Sequence, residues 1–193
     1  GNENTVGVIM PYRTSNPKSV EDAKTLINQM GIRSEVVDIS PMVDGYCDIW
    51  KVTDKVRRGN VMARIRMIIL YDISAREDAL VIGTSNKSEI MLGYGTLFGD
   101  TDSAINPIGD LYKTQVWQLA RALGIPQQIV EKIPTADLWE GQSDEEELGS
   151  TYARLDALLF HLVDERRNDE ELHKLGFEAG FVDRVKALIQ KNQ

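Results

Sequence analysis

The sequence predicts an α/β domain built on a parallel sheet, with a helical C-terminal part. Three observations carry that expectation: a strand–helix–strand unit at the start, a buried-looking strand near residue 80, and strong amphipathic stripes in the last third. Thr5 to Met10 reads as a strand rich in Val6, Val8 and Ile9, ended by Pro11. Asn16-Pro17 suits a helix entry; Val20, Ala23, Ile27 and Met30 recur at helical spacing, and Gly31 is the stop. Ser34 to Ile39 gives a second strand ended by Pro41, so a parallel βαβ pair is expected. Met42 to Lys55 lacks periodicity and reads as a loop. Asn60 to Arg76 is helical and apolar nearly all round, with Arg64 and Arg66 embedded, as in a helix covering a sheet. Ala79 to Thr84 is a third strand, whose Leu-Val-Ile run suits burial on both faces.

Lys87 to Leu92 follows as a short helix, and Gly93 to Asn106 as a polar, glycine-rich loop read as a flexible surface connection. Val116, Leu119, Ala120 and Leu123 form a helical stripe closed by Gly124 and Pro126. Ser143 with Glu146 reads as a capping box opening an acidic turn on a solvated face. Leu155, Leu158, Leu159, Leu162 and Val163 make another stripe, as do Phe181, Val185, Leu188 and Ile189.

The 193 residues, 42% of them apolar, are enough to bury one core without disulfides or metals. No run approaches the ~18–20 apolar residues of a membrane span. A net charge of −8 argues against a nucleic-acid or anionic-membrane partner. The single cysteine, Cys47, fits a reducing cytoplasm, and with only two histidines, His161 and His173, a Cys/His zinc site is not expected.

Open parallel sheets bind ligands outside the carboxyl ends of their strands. Here those ends are Met10 to Arg13 and Gly83 to Glu89. The second is polar, opens a helix and suits an anion, with Glu89 able to serve a divalent cation between phosphates. The same residues also suit a plain capped helix start. Lys113 stands at the start of a helix, where the dipole disfavours a cation unless it meets a polyphosphate or solvent. Arg57 and Arg58 read as surface charges, whereas Arg64 needs an anionic partner if buried, from the protein or from a substrate.

The ordered segments are distinctive. They are Arg58-Gly59-Asn60-Val61-Met62-Ala63-Arg64-Ile65-Arg66-Met67, Val81-Ile82-Gly83-Thr84-Ser85-Asn86-Lys87-Ser88-Glu89, Gly93-Tyr94-Gly95-Thr96, Gly99-Asp100, Asn106-Pro107, Leu111-Tyr112-Lys113-Thr114, Pro134-Thr135-Ala136-Asp137-Leu138 and Gly141-Gln142-Ser143-Asp144-Glu145. Together they closely resemble the NAD synthetases, members of the PP-loop adenine-nucleotide alpha-hydrolase-like superfamily. The resemblance implies a doubly wound, Rossmann-like parallel sheet in a single domain over 1–193. It implies ATP-dependent amidation of deamido-NAD (nicotinic acid adenine dinucleotide) with ammonia, through an acyl-adenylate, releasing pyrophosphate and AMP. It also implies Mg2+ and a cytoplasmic homodimer; the helix bearing Arg64, with more apolar surface than one sheet face can cover, is the expected interface element. By the same resemblance Thr84, Lys113 and Thr135 contact ATP, with Lys113 catalytic. Glu89 ligates magnesium, Arg64 contacts deamido-NAD, and Arg13 lies near the nucleotide.

Three departures qualify the match. The family's ATP loop, Ser-Gly-Gly-x-Asp-Ser, is not among these residues, so a strand and loop carrying a second magnesium carboxylate are expected before Gly1. A basic substrate-binding tail is expected beyond Lys191-Asn192-Gln193. Leu97 and Ala104 stand where ammonia-dependent members commonly have a lysine and an aspartate for deamido-NAD, which keeps a glutamine-dependent relative open. The alternatives are another PP-loop ligase of the GMP synthetase kind, or a nucleotide-binding remnant without catalysis. In an acidic protein the cations for a polyanion must be concentrated, and Arg64, Lys87 and Lys113 are the expected ones.

Overall fold

A computed structural model describes residues 1–191; Asn192 and Gln193, beyond which a basic tail is expected, lie outside the described residues. β1 (Val6–Ile9) and β2 (Arg33–Val36) pair in parallel, with Val6 opposite Arg33 and Ile9 opposite Val36. The helix between them, α1 (Pro17–Met30), begins and ends as expected: the Asn16 side chain accepts from the Lys18 amide, Pro17 opens the first turn, and Gly31 closes the helix at φ 63°. β2 is shorter than the expected 34–39. The pairing nevertheless continues irregularly, since the Val37 amide donates to the Ile9 carbonyl and that of Ile39 to Pro11.

The stretch read as a loop is mostly a helix, α2 (Ser40–Ile49). Pro41, taken as a strand terminator, sits in the first turn of α2, where its missing N–H is not needed. Val43 and Cys47, four residues apart, are both buried, against Ile39, Tyr12, Val52 and Met62. On the same helix the Asp44 carboxylate accepts from the Tyr12 hydroxyl (2.7 Å) and from Arg58 (2.6 Å) and Arg13 (2.8 Å). Arg58 is therefore a half-buried partner of this cluster rather than a surface charge.

α3 (Lys55–Glu77) starts five residues earlier than expected, because Asp54 caps the Arg57 amide. It buries Gly59, Met62, Ala63 and Ile73 but leaves Val56 and Ile68 exposed, so it is covered on one side and not all round. Gly59 is a close-approach position, since a Cβ there would stand 2.9 Å from Leu138 Cδ1.

The third expected strand is not a full one. It makes a single parallel bridge, Ile82 to Ile105. Only Val81 of its apolar run is buried; Leu80 and Ile82 are 63% and 55% exposed, so burial on both faces is corrected to burial of one. Side chains alternate along an extended segment, and among the described residues no further strand covers the outer face.

The helical part holds the larger core. α4 (Lys87–Leu92), α5 (Lys113–Ala122), α8 (Tyr152–Leu159) and α10 (Ala179–Lys191) bring Leu92, Tyr112, Tyr152, Leu155, Leu158, Leu159, Phe181 and Val185 together. α6 (Gln127–Val130) and α7 (Asp144–Leu148) precede α8; a π-helical turn (Phe160–Asp164) and α9 (Asp169–Lys174) follow it. Ser143 is the N-cap of α7, but its side chain makes no cap bond, so the expected capping box does not form. Among the described residues no helix is long and apolar enough to cross a membrane.

Candidate active site

A cavity of about 1000 Å³ opens beside the end of β1. Its walls come from α3, residues 81–84, the loop after α4, the start of α5 and the segment between α6 and α7. The loop read as a surface connection is in fact a wall. The Thr96 amide donates to Asp100 (2.8 Å), the Thr96 hydroxyl to Asn60 on α3 (2.8 Å), and Asn106 Nδ2 to the Ser85 carbonyl (2.8 Å).

Glu89 and Lys113 meet at the cavity. Asn86 and Glu89 form a full capping box at the start of α4, so the plain capping role is real, and it is also what aims Glu89. Glu89 Oε2 accepts from the Asn86 amide (3.1 Å), and Oε1 accepts from Lys113 Nζ (3.0 Å). Lys113 is the first residue of α5, and its ammonium also lies over the Tyr152 ring, 5.2 Å from the centroid. Buried Asp156 clamps the two helix starts together. It accepts from Ser88 Oγ, which in turn accepts from the Lys113 amide (2.9 Å), and from the Thr114 amide (2.8 Å).

Beside this pair the acidic turn is only partly solvated: Glu146 and Glu147 are exposed as expected, but Asp144 is not. Asp144 is only 4% exposed and faces the Tyr94 hydroxyl (3.0 Å) and that of Tyr152 (3.4 Å). The Tyr94 hydroxyl is also 2.7 Å from Glu147. Burial raises the Asp144 carboxyl above the usual carboxylate range, against the pull of the Tyr94 hydrogen bond and of Lys113. Burial and the neighbouring carboxylates hold both tyrosine hydroxyls protonated well above their ordinary value.

Elsewhere in the lining, Thr135 Oγ1 accepts from the Asp137 amide (3.1 Å), so the hydroxyl proton is left to donate to another group. Asp137 in turn accepts from the Asn16 amide at the start of α1 (3.1 Å). Lys132 lines the cavity and donates to Ser19 (2.7 Å), with its ammonium 3.9 Å from Asp22 Oδ2. That oxygen is buried without a hydrogen-bond partner.

Thr84, Glu89, Lys113 and Thr135 thus share one cavity. Arg64 does not line it; the side chain is exposed and donates Nε to the Leu97 carbonyl (3.2 Å). Arg13 is held by Asp44, also outside the lining. Lys87, expected among the polyanion-binding cations, is committed elsewhere: it pairs with Asp164 (2.7 Å) and lies over the Tyr112 ring. Cys47 is a buried free thiol, and His161 pairs with Glu165 (2.6 Å).

The cations on the wall are Arg66, Lys113 and Lys132. In the sequence Arg66 stands out only as a basic residue embedded in this helix, with no role given, and the spacing separates it from Arg64. Residues two apart on a helix point about 200° apart, so Arg64 and Arg66 cannot face one cavity together. Against these cations stand Glu89, Asp100, Asp102, Asp144 and Glu147, so a polyphosphate would be better accommodated with a cation of its own. Among the described residues no three His, Cys, Asp or Glu side chains form a metal cluster. A magnesium ion held chiefly by phosphates and water needs only one or two carboxylates. Glu89 meets that need, because each of its oxygens carries a second lone pair beyond the bond it makes.

A family model described as NAD synthase matches residues 1–193. The chain is 54% identical over 193 residues to the NH(3)-dependent NAD(+) synthetase of Chlorobium phaeobacteroides strain BS1, spanning all of this chain and 70% of that protein. Among solved structures, the NMN synthetase of Francisella tularensis superposes with a TM-score of 0.85 at 31% identity, over 98% of this chain and 74% of that one. The NH3-dependent NAD synthetase of Campylobacter jejuni gives 0.81 at 34%, with the same shares covered.

Proposed function

Because the chain belongs to the NAD synthase family, we propose that its central cavity is where ATP activates deamido-NAD for attack by ammonia. The chain is a ligase that makes an amide C–N bond, with ATP as a substrate and ammonia as the nitrogen donor. Its fold is the α/β PP-loop fold of its structural neighbours. The observation that carries the site is the Glu89–Lys113 pair, set in one cavity with Thr84 and Thr135.

The chemistry follows from what a carboxylate lacks, namely a leaving group. The nicotinate carboxylate attacks the α-phosphorus of ATP and pyrophosphate departs, giving an acyl-adenylate. Ammonia then adds to the acyl carbon, AMP leaves, and a proton is lost. Lys113, held by Glu89 and the Tyr152 ring, offsets the charge that gathers on the departing pyrophosphate. The Thr135 hydroxyl, with its oxygen already accepting from the Asp137 amide, donates to the nucleotide, and Thr84, in the same lining, contacts it as well. Magnesium, ligated by Glu89, would supply charge neutralisation between phosphates when bound. Arg64, exposed on α3 and outside the cavity lining, is left for a part of deamido-NAD that extends beyond the cavity.

The active form in this reading is a cytoplasmic homodimer. Support comes from apolar surface left uncovered where α2 and α3 meet: Ile49, Trp50 (67% exposed) and Val56. The W50E variant is expected to shift sedimentation from a dimer to a monomer at micromolar concentration. A dimer unchanged by W50E would place the interface elsewhere.

The functional test is incubation with ATP, magnesium, ammonium and deamido-NAD, with separation of the dinucleotide product. NAD is expected in an amount matching the AMP formed. Amidation of the mononucleotide instead, to the NMN named for the Francisella tularensis neighbour, would overturn the dinucleotide as substrate.

A further inference from the structure

Arg66 is a cavity cation to which the reading above gives no task. It extends from α3 into the cavity, and its Nε donates to the Met10 carbonyl at 3.0 Å. That is its one hydrogen bond among the described residues, and no carboxylate oxygen lies within 4.0 Å of it. The other two wall cations are engaged: Lys113 with Glu89 at 3.0 Å, and Lys132 with Ser19 at 2.7 Å. Asp100 and Asp137 act on Arg66 only through space. A guanidinium is always charged, and a half-buried one without a counter-charge is costly unless a ligand supplies it.

The geometry limits that ligand. The bond to Met10 fixes the guanidinium plane and uses Nε, which leaves the two terminal nitrogens as a fork. Such a fork matches two oxygens of one phosphate, which a single ammonium cannot do. Met10 follows β1 directly and lines the cavity together with Thr84, so Arg66 stands at the carboxyl end of a parallel strand, where open parallel sheets bind their ligands.

We propose that Arg66 is a phosphate-binding residue of this cavity, gripping two oxygens of one nucleotide phosphate through its terminal nitrogens. The proposal rests on the reading that ATP and deamido-NAD enter here, and both bring phosphates. The test compares wild type, R66Q and R66K by calorimetric titration with ATP–magnesium and, separately, with deamido-NAD, alongside the KM for each and thermal unfolding. R66Q is expected to weaken one nucleotide by about 10- to 100-fold, as for loss of a charge-assisted pair of hydrogen bonds. R66K, which keeps the charge and loses the fork, is expected to recover part of that loss. A loss confined to ATP assigns the phosphate to ATP, and one confined to deamido-NAD assigns it to the dinucleotide's pyrophosphate. If R66Q does not fold, R66K decides, since it should weaken the same nucleotide by a smaller factor. Unchanged affinity and KM for both nucleotides in a folded variant overturns the proposal while the enzyme's activity stands. Wild-type protein that binds neither nucleotide overturns the functional reading, and the proposal with it.

Discussion

The E89Q variant is expected to lose about 10²–10³-fold in kcat, the scale seen when a preorganised charge is removed from a reacting site. The fold should survive. Glu89 closes the capping box of α4 by accepting from the Asn86 amide, and a glutamine oxygen accepts the same bond. The stability loss should therefore stay within about 1 kcal/mol. What glutamine cannot supply is the negative charge beside Lys113 and for a cation on the phosphates. The checks are steady-state rates across magnesium concentrations, with thermal unfolding as the control for folding. Near-wild-type turnover in E89Q would remove Glu89 from the chemistry and leave it a helix cap.

The K113M variant tests the other half of the pair. Lys113 is proposed to act on charge that develops as pyrophosphate leaves, and much less on bound ATP. Its loss should lower kcat and kcat/KM together, by about 10²–10³-fold, with little change in the KM for ATP. A raised KM with kcat intact would instead make Lys113 a ground-state binding group. Methionine keeps most of the stem's length and apolar contact with the Tyr152 ring, so the packing around α5 and α8 should persist.

Much of this was legible in the residues, and the failures have physical causes. The βαβ unit could be read because Asn16, Pro17 and Gly31 punctuate α1 by chemistry that needs no tertiary context. α2 was missed because it buries only two positions, Val43 and Cys47, while its other inward residue, Asp44, is polar. A pattern that counts apolar side chains does not see a half-buried carboxylate held by Tyr12 and Arg58. The apolar run at Leu80 to Ile82 suggested a strand buried on both faces, yet which face is covered depends on what packs there, and only Val81 is enclosed.

The site divides in the same way. Thr84, Glu89, Lys113 and Thr135 were found through ordered motifs, and the structure gathers them at one cavity. Arg66, Lys132 and Asp144 line the same cavity, and no sequence pattern shows this because it depends on what faces them in space. Asp144 looked like one more acid in a solvated run until Tyr94 and Tyr152 were seen to enclose it. Lys87 looked like a phosphate ligand for the opposite reason: its neighbours in sequence are polar and suggestive, whereas its neighbours in space are Asp164 and Tyr112.

The central claim is that this cavity activates a carboxylate by adenylation. The most direct measurement is exchange of labelled pyrophosphate into ATP with deamido-NAD present and ammonia absent. Reversible formation of the acyl-adenylate predicts exchange that depends on deamido-NAD and falls sharply in K113M. Absence of exchange together with release of ADP and phosphate during turnover would contradict it.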